Sequence, residues 1–329
     1  MKIEILKFFL LSFSFSFLFI KNRSIALKFN IMDNPDNIRK LHTIPTPLTG
    51  GLFLILSLSV DNFLSNNYAS ISFIKIFYFH ALLTSAFIIG FLDDSKSLLP
   101  ITRLILLSVM LFVFIKLIPE LKIQNIKFRD TEYSIFLKEY SIVVTIFFIL
   151  LLVNANNMID GMNGIAVYFF IFVLFYFAIK GLIPFFNIII FTLILLFFLN
   201  LFNKLFLGSS GNMIMSFYIS YLTITNYNSS TSLLCDEIFI LFILPGVDML
   251  RLFINRIYKK KNPFKGDRNH FHQILENKYG NNKALLIWII FCTYPIILFS
   301  YLNFFLTLTI FFLSYIFLIY YLKPITSLK

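Results

Sequence analysis

The chain has only two cysteines and one tryptophan in 329 residues. Cys235 and Cys292 lie far apart with no CxxC pairing, which excludes a disulfide framework and a cysteine-built metal finger. Charge is scarce too. Only 13% of residues are Asp, Glu, Lys or Arg, against about 25% in a soluble domain. Acids are scarcer than bases, 16 against 28, and the net charge is +12. No basic, aromatic-interleaved module of useful length stands outside the apolar runs, which argues against a nucleic-acid partner. What remains is apolar: 59% hydrophobic residues, 45 Phe and 16 Tyr, with a mean hydropathy of +0.85. Composition alone therefore points to a polytopic membrane protein.

At about 20 apolar residues per span, eleven segments qualify, near 4–20, 47–64, 71–90, 102–118, 140–156, 164–180, 183–200, 211–227, 237–254, 284–302 and 304–322. The expectation is an all-α membrane protein, a single polytopic bundle of about 11 transmembrane helices with cytoplasmic catalytic loops. Met1 to Ile20 could pass for a signal peptide, but Lys21 and Arg23 before the small-residue site argue against cleavage, so it reads as the first span. Ile123–Phe128 and Tyr133–Leu137 read as an outer β-hairpin.

Alternating the spans across the bilayer collects 21–46, 91–101, 157–163, 201–210, 255–283 and the tail on one side. These loops carry most of the 28 lysines and arginines. An excess of bases marks the cytoplasmic side. The same side receives Asp33, His42, Asp93, Asp94, Asn157, Asp160, Ser209, Asp267, His270 and His272. A transporter is expected to keep its polar groups near the midplane on broken helices. Clustering at one interface instead suits an enzyme that joins a soluble substrate to a membrane-embedded one.

Five stretches carry the chemistry. NANNMIDGMNG, Asn154–Gly164, places Asn154, Asn157, Asp160 and Asn163 at three-residue intervals, close to one face of a helix end. Amides both donate and accept and can read a base or a sugar; the plain alternative is a polar helix end and turn. Asp93 and Asp94 follow an apolar run. Paired acids there suit Mg²⁺ or pyrophosphate chemistry, or simply a capped helix end near Lys96. DNPDNIRKLHTIPTPLTGG brings Arg39, Lys40 and His42 to a Gly50-Gly51 span entrance, suited to a phosphate or to an ordinary positive-inside loop. FLGSSGN offers backbone N–H groups for an anion, or merely a turn. DRNHFH ends a basic run with Asp267, Arg268, His270 and His272. Histidines two apart do not share a helix face, so a loop is expected, more suited to phosphate than to zinc. Asp248 and Arg251 read as an i, i+3 ion pair, and His80 as a satisfied interior histidine.

Six motifs, RKLHTIPTPLTGG, GFLDD, NANNMIDGMNG, FLGSSGN, PGVD (Pro245–Asp248) and DRNHFH, follow one another from Asp33 to about Leu275. In that order the chain resembles the polyprenyl-phosphate N-acetylhexosamine-1-phosphate transferases, glycosyltransferase family 4, of the undecaprenyl-phosphate N-acetylglucosamine-1-phosphate transferase kind. The resemblance implies transfer of a sugar 1-phosphate from a UDP-N-acetylhexosamine to a polyprenyl phosphate, with Mg²⁺ (Mn²⁺ as substitute) and release of UMP. It implies a multi-pass protein of the cell inner membrane, its active site facing the cytoplasm, on a cell-wall or lipopolysaccharide pathway. A homodimer is compatible with it. By this likeness Asp93, Asp94 and Asp160 match metal ligands and catalytic acids, and His270 and His272 match the diphosphate-contacting histidines. Arg39, Lys40, His42, Asn154, Asn157, Asn163, Asp267 and Arg268 match the substrate-binding set.

The chain departs from that pattern at four places. Asn163 and Ser209 stand where the family usually has Asp, Leu48 where it has Arg, and Gln273 where it has His. Two missing carboxylates weaken the expected magnesium site. They leave a second expectation beside the active transferase: a degenerate homologue that binds lipid phosphate or nucleotide without turnover, or serves as a glycan-assembly scaffold. A flippase is the third.

Overall fold

The computed structural model describes residues 2–35, 44–64, 73–129, 134–185, 187–229, 233–262 and 268–322. Their helices are α1 (Lys2–Lys28), α2 (Gly50–Leu64), α3 (Phe73–Lys96), α4 (Pro100–Leu117), α5 (Ser141–Ile159), α6 (Ile165–Ile179), α7 (Ile188–Leu201), α8 (Gly208–Ser229), α9 (Cys235–Leu241), α10 (Ile243–Tyr258), α11 (Phe271–Tyr279), α12 (Asn281–Phe299) and α13 (Phe304–Leu322). Two short antiparallel pairs complete the order: β1 (Met32–Asp33) with β2 (Thr46–Pro47), and β3 (Asn125–Lys127) with β4 (Ser134–Phe136).

All eleven segments expected to cross the membrane are helical, but they are not alike. Six helices are long and apolar enough to cross: 7–28 of α1, α3, α4, Lys138–Ile159, α12 and α13. Gly50–Asp61 of α2, α6 and α7 are apolar but shorter. Segment 237–254 is no single span, because it breaks at Phe242 (φ −103°, ψ 9°) into α9 and α10. Of the eleven expected crossings, six coincide with described helices that meet the length and hydropathy requirement; the others are shorter, more polar or broken.

Helix ends follow local chemistry. Pro100, which lacks the N–H that a first turn leaves unpaired, starts α4. The Asn187 side chain accepts from the Ile189 N–H (2.8 Å) to cap α7. Within the helices Ser57, Ser85, Ser108, Thr145, Ser220 and Thr223 donate to the carbonyl four residues back, so their hydroxyls need no water. His80 lies 3.4 Å from the Ser59 hydroxyl, the interior setting expected for it.

α8 is the central helix, packed on α3, α2, α5 and α6. It approaches α2 and α3 through glycine. A Cβ on Gly51 would stand 2.4 Å from Ser210 Oγ, and one on Gly90 2.4 Å from Ser210 Cα. The Gly-Gly entrance read as an anion opening is thus a close helix crossing, which only residues without a side chain permit. Around α8 the core is aromatic: Trp288 meets Tyr168 and Phe169 edge-on, and Phe53, Phe170, Phe177 and Phe217 are fully buried.

The β3–β4 hairpin forms where expected, between the end of α4 and the start of α5. Tyr227 holds it, its hydroxyl donating to Asn125 O (2.9 Å) and accepting from Lys127 N–H (2.7 Å). The β1–β2 pair lies at the other end of the bundle. There Phe206 N–H donates to Pro47 O (2.8 Å) and Gly50 N–H to Phe206 O (3.0 Å), which ties the chain before α8 to the entrance of α2.

Candidate active site

Successive helices alternate in direction, so the C-terminal ends of α3, α5, α7 and α10 and the N-terminal ends of α4, α6 and α8 share one end of the bundle. The hairpin marks the other. Between these ends opens a cavity of about 770 Å³. Asp33, Asp93, Asp94 and Asp160 line it as acids, Arg103, Arg256, Arg268 and His270 as bases, and Asn154, Asn157, Asn163, Asn200 and Asn203 as amides.

The acid pair is engaged by the protein itself. Asp94 accepts from the N–H groups of Ser209 (2.7 Å) and Ser210 (3.0 Å), the first turn of α8. A carboxylate there satisfies orphan donors and complements the helix dipole. Gly208, at φ +72°, has no Cβ, which would stand 2.7 Å from Asp94 Oδ2. The FLGSSGN turn, read as a cradle for a ligand's anion, thus cradles the chain's own Asp94. Asp93 accepts from Leu98 N–H (3.0 Å) and pairs with Arg103 Nη1 (3.2 Å). Its partner is thus Arg103, ten residues on, where Lys96 was the base expected nearby.

Asp160 is different. It ends α5 and shows no hydrogen bond or ion pair within the described residues. Burial pushes its carboxyl up to about 7, and the charges of Asp94 and Asp33 push the same way. Among the described residues no cation offsets this cost. Among the described residues no three His, Cys, Asp or Glu side chains are grouped to hold a metal ion. The donor set therefore does not suit an all-protein cage. It does suit Mg²⁺ arriving on a diphosphate, which typically takes one or two carboxylates and fills its remaining positions with substrate oxygens and water.

All four positions of the three-residue beat, Asn154, Asn157, Asp160 and Asn163, line the cavity. Asn156, between them, points away and donates to Ser216 Oγ (2.9 Å). Asn163 donates to Asn203 Oδ1 (2.8 Å), and Asn200 Oδ1 accepts from Gly164 N–H (2.5 Å), where Gly164 takes φ +84°. The turn after α5 is thereby laced to the end of α7. Ser209 and Leu48, two of the departures, both line the cavity.

The histidine motif, for which a loop or ribbon was expected, straddles a helix start: Arg268–His270 are non-helical and α11 begins at Phe271. His270 is the N-cap of α11, and Gln273 Oε1 accepts from His270 N–H (3.3 Å). The departure to Gln273 thus supplies an acceptor at this helix start. His270 faces the cavity. His272 is absent from the cavity wall: it is fully buried, stacked on His270 at 5.5 Å, with neither ring nitrogen hydrogen-bonded. Its pKa falls to about 3, first through burial and then through the charge of His270, so it stays neutral. Arg268 pairs with Glu276 (2.9 Å). Arg39, Lys40, His42 and Asp267 lie outside the described residues.

The sequence reading did not single out Arg103, Asn200, Asn203 or Glu276. Arg103 alone left a signal, as a charge inside an apolar run.

Residues 76–227 match the family model described as glycosyl transferase family 4. The undecaprenyl-phosphate alpha-N-acetylglucosaminyl 1-phosphate transferase of Thermotoga maritima is 28% identical over 273 residues, 81% of this chain and 80% of the relative. The enzyme of the same name from Salmonella typhi is 24% identical over 292 residues, 83% of this chain and 75% of the relative. The probable undecaprenyl-phosphate N-acetylglucosaminyl 1-phosphate transferase of Bacillus subtilis is 25% identical over 265 residues, 77% and 72% respectively.

Proposed function

We propose that the chain is a glycosyl transferase family 4 membrane enzyme that transfers a sugar phosphate to a polyprenyl phosphate, with a UDP-N-acetylhexosamine as donor and undecaprenyl phosphate as acceptor. In this reading an oxygen of the lipid phosphate attacks the phosphorus attached to the sugar. A new P–O–P link forms, the bond to the uridylyl phosphate breaks, and UMP leaves with its electron pair. The reaction is the first membrane step of a cell-surface glycan, at the cytoplasmic face of the inner membrane.

One observation carries the proposal: one cavity at a bundle end is lined together by Asp33, Asp93, Asp94 and Asp160, by Arg256, Arg268 and His270, and by asparagines. A phosphate monoester is largely ionised at neutral pH, its second pKa being near 6, so the acceptor needs little help from a base. The difficulty is bringing two anions together, which calls for positioning and charge neutralisation. Arg256 and Arg268 offer positive charge to the diphosphate, and His270 offers a ring nitrogen to the cavity. Arg103, fixed by Asp93, adds a further positive charge. Asn157 and Asn163 face the sugar or the base. Asp160, with Asp94, would hold Mg²⁺, which when bound neutralises phosphate oxygens.

The test is direct. Membranes containing the protein, given labelled UDP-N-acetylhexosamines and Mg²⁺, are expected to yield a lipid-linked sugar diphosphate and UMP. No product from any UDP-sugar, with Asn163→Asp/Ser209→Asp equally silent, overturns it. A second reading, binding without turnover, is favoured by the engagement of Asp93 and Asp94 by protein donors. Turnover that vanishes in Asp94→Asn sinks that alternative.

A further inference from the structure

Asp248, in the second turn of α10, is 3% exposed and takes donors from four places. Arg251 Nη2 reaches its Oδ1 at 2.7 Å, the i, i+3 pair expected from the sequence. The Tyr315 hydroxyl donates to the same oxygen at 2.8 Å, from α13. Phe271 N–H lies 3.2 Å from both oxygens. His270 Nδ1 lies 3.0 Å from Oδ2. A carboxylate only accepts, so Nδ1 must carry the proton, and the other ring nitrogen, Nε2, is the one left for the cavity.

Tyr315 is itself held rigidly. It is 3% exposed, stacks on Phe311 with centroids 5.8 Å apart, and meets Phe271 at 5.3 Å. It also accepts from Arg251 Nε at 2.9 Å, which closes a ring of Asp248, Arg251 and Tyr315. His270 is fixed on its other sides by the stacked ring of His272 and by Gln273 at its N–H. Among the charged groups around this corner, Arg268 approaches from the chain preceding α11. Every restraint on His270 is thus internal, and its Nε2 is the polar atom left for a ligand.

We infer that Asp248, braced by Arg251 and by Tyr315 of the last helix, is the positioning residue that fixes the tautomer and aim of His270, holding its Nε2 toward the cavity as an acceptor for a hydrogen-bond donor of the substrate. The inference rests on the transferase reading for its consequence, not for its geometry. It gives α13, beyond the motif-bearing part of the chain, a part in the active site. Partners that act by orienting a histidine ring are worth about 10–100-fold.

Two measurements test it. Nitrogen-15 NMR of the histidine-labelled full chain is expected to show His270 protonated at Nδ1, with that signature lost in Asp248→Asn. An Nε2-protonated His270 in the wild type, or one indifferent to Asp248→Asn, overturns the inference whether or not the protein turns over. In the transferase assay Asp248→Asn is expected to lower kcat about 10–100-fold with KM for the UDP-sugar little changed. Tyr315→Phe, which keeps the stacking, is expected to lower kcat by roughly 10-fold or less. Asp248→Asn added to His270→Ala is expected to cost nothing further, because its effect passes through the ring already removed. Losses that multiply, or wild-type kcat in both Asp248→Asn and Tyr315→Phe, overturn it. An inactive wild type with the expected NMR signature counts against the transferase reading alone.

Discussion

Asp248 and Asp160 are carboxylates at the same end of one bundle, with opposite surroundings. Asp248 receives Arg251, Tyr315, His270 and a backbone N–H. Asp160 receives no donor among the described residues and has two other acids for neighbours. A buried charge left without partners is costly. The protein meets that cost at Asp248 from within. At Asp160 it leaves the cost standing, which marks the place for a cation from outside. Asp93 and Asp94 fall between the two, engaged by the protein yet open to the cavity.

The largest expected effect is on the satisfied side. Asp248→Ala takes from Arg251 its carboxylate and leaves the His270 ring N–H buried without its acceptor, and is expected to cost about 3–5 kcal/mol of stability. Thermal unfolding in detergent checks it. Asp160→Ala is expected to unfold no earlier than the wild type, because it removes a charge that no group among the described residues offsets. An early-melting Asp160→Ala breaks the contrast.

Next is turnover. Asp160→Asn keeps shape and removes charge, and is expected to lower kcat by about 10²–10³-fold, the range for loss of one electrostatic stabiliser. Formation of lipid-linked product measures it. Near-normal kcat in Asp160→Asn assigns the metal elsewhere.

The contrast also has a pH signature. With its carboxyl at about 7 in the folded protein and near 3.8 when unfolded, Asp160 holds a proton in the native state that the unfolded chain has lost. Its contribution therefore favours folding below about 4 and is lost as pH rises toward 7. A cation must displace that proton. Mg²⁺ affinity is expected to rise up to about tenfold per pH unit below 7 and to level off above it. Calorimetric titration at pH 6, 7 and 8 reads this, and a flat profile refutes it.

Much of this was legible from residue order. The three-residue beat from Asn154 to Asn163 announced one face, and it lines one cavity. The hairpin at 125–136 and the Asp248–Arg251 pair were equally plain, because local spacing sets them. The roles of Asp94 and Tyr315 were not. Each depends on a partner more than 60 residues away, Ser209 across 115 and Asp248 across 67. Local period carries no information about such pairs. Apolar length does not fix the number of crossings for a related reason: it looks alike whether a segment is a span, a short packed helix or a broken one. The histidine motif read as a loop because spacing alone does not show that His270 ends it and Phe271 starts a helix.

The smallest expected effect tests whether the missing acid near Asp94 matters. Ser209 N–H already donates to Asp94, and its side chain lies on the cavity wall. In Ser209→Asp the new carboxylate enters the first turn of α8, where the helix dipole favours it by about 0.3–1 kcal/mol. It also stands near Asp94 and Asp160, whose charges oppose it. These effects nearly cancel in the absence of metal, so melting temperature is expected to change little. With Mg²⁺ the repulsion becomes attraction to a shared ion, and affinity is expected to rise by roughly tenfold or less, as from about 1 kcal/mol. Asn163→Asp is expected to do less, since its amide already donates to Asn203 and the exchange breaks that bond. If Ser209→Asp binds Mg²⁺ no better than the wild type, Asp160 already commands the ion, and the two-carboxylate deficit is immaterial to this site.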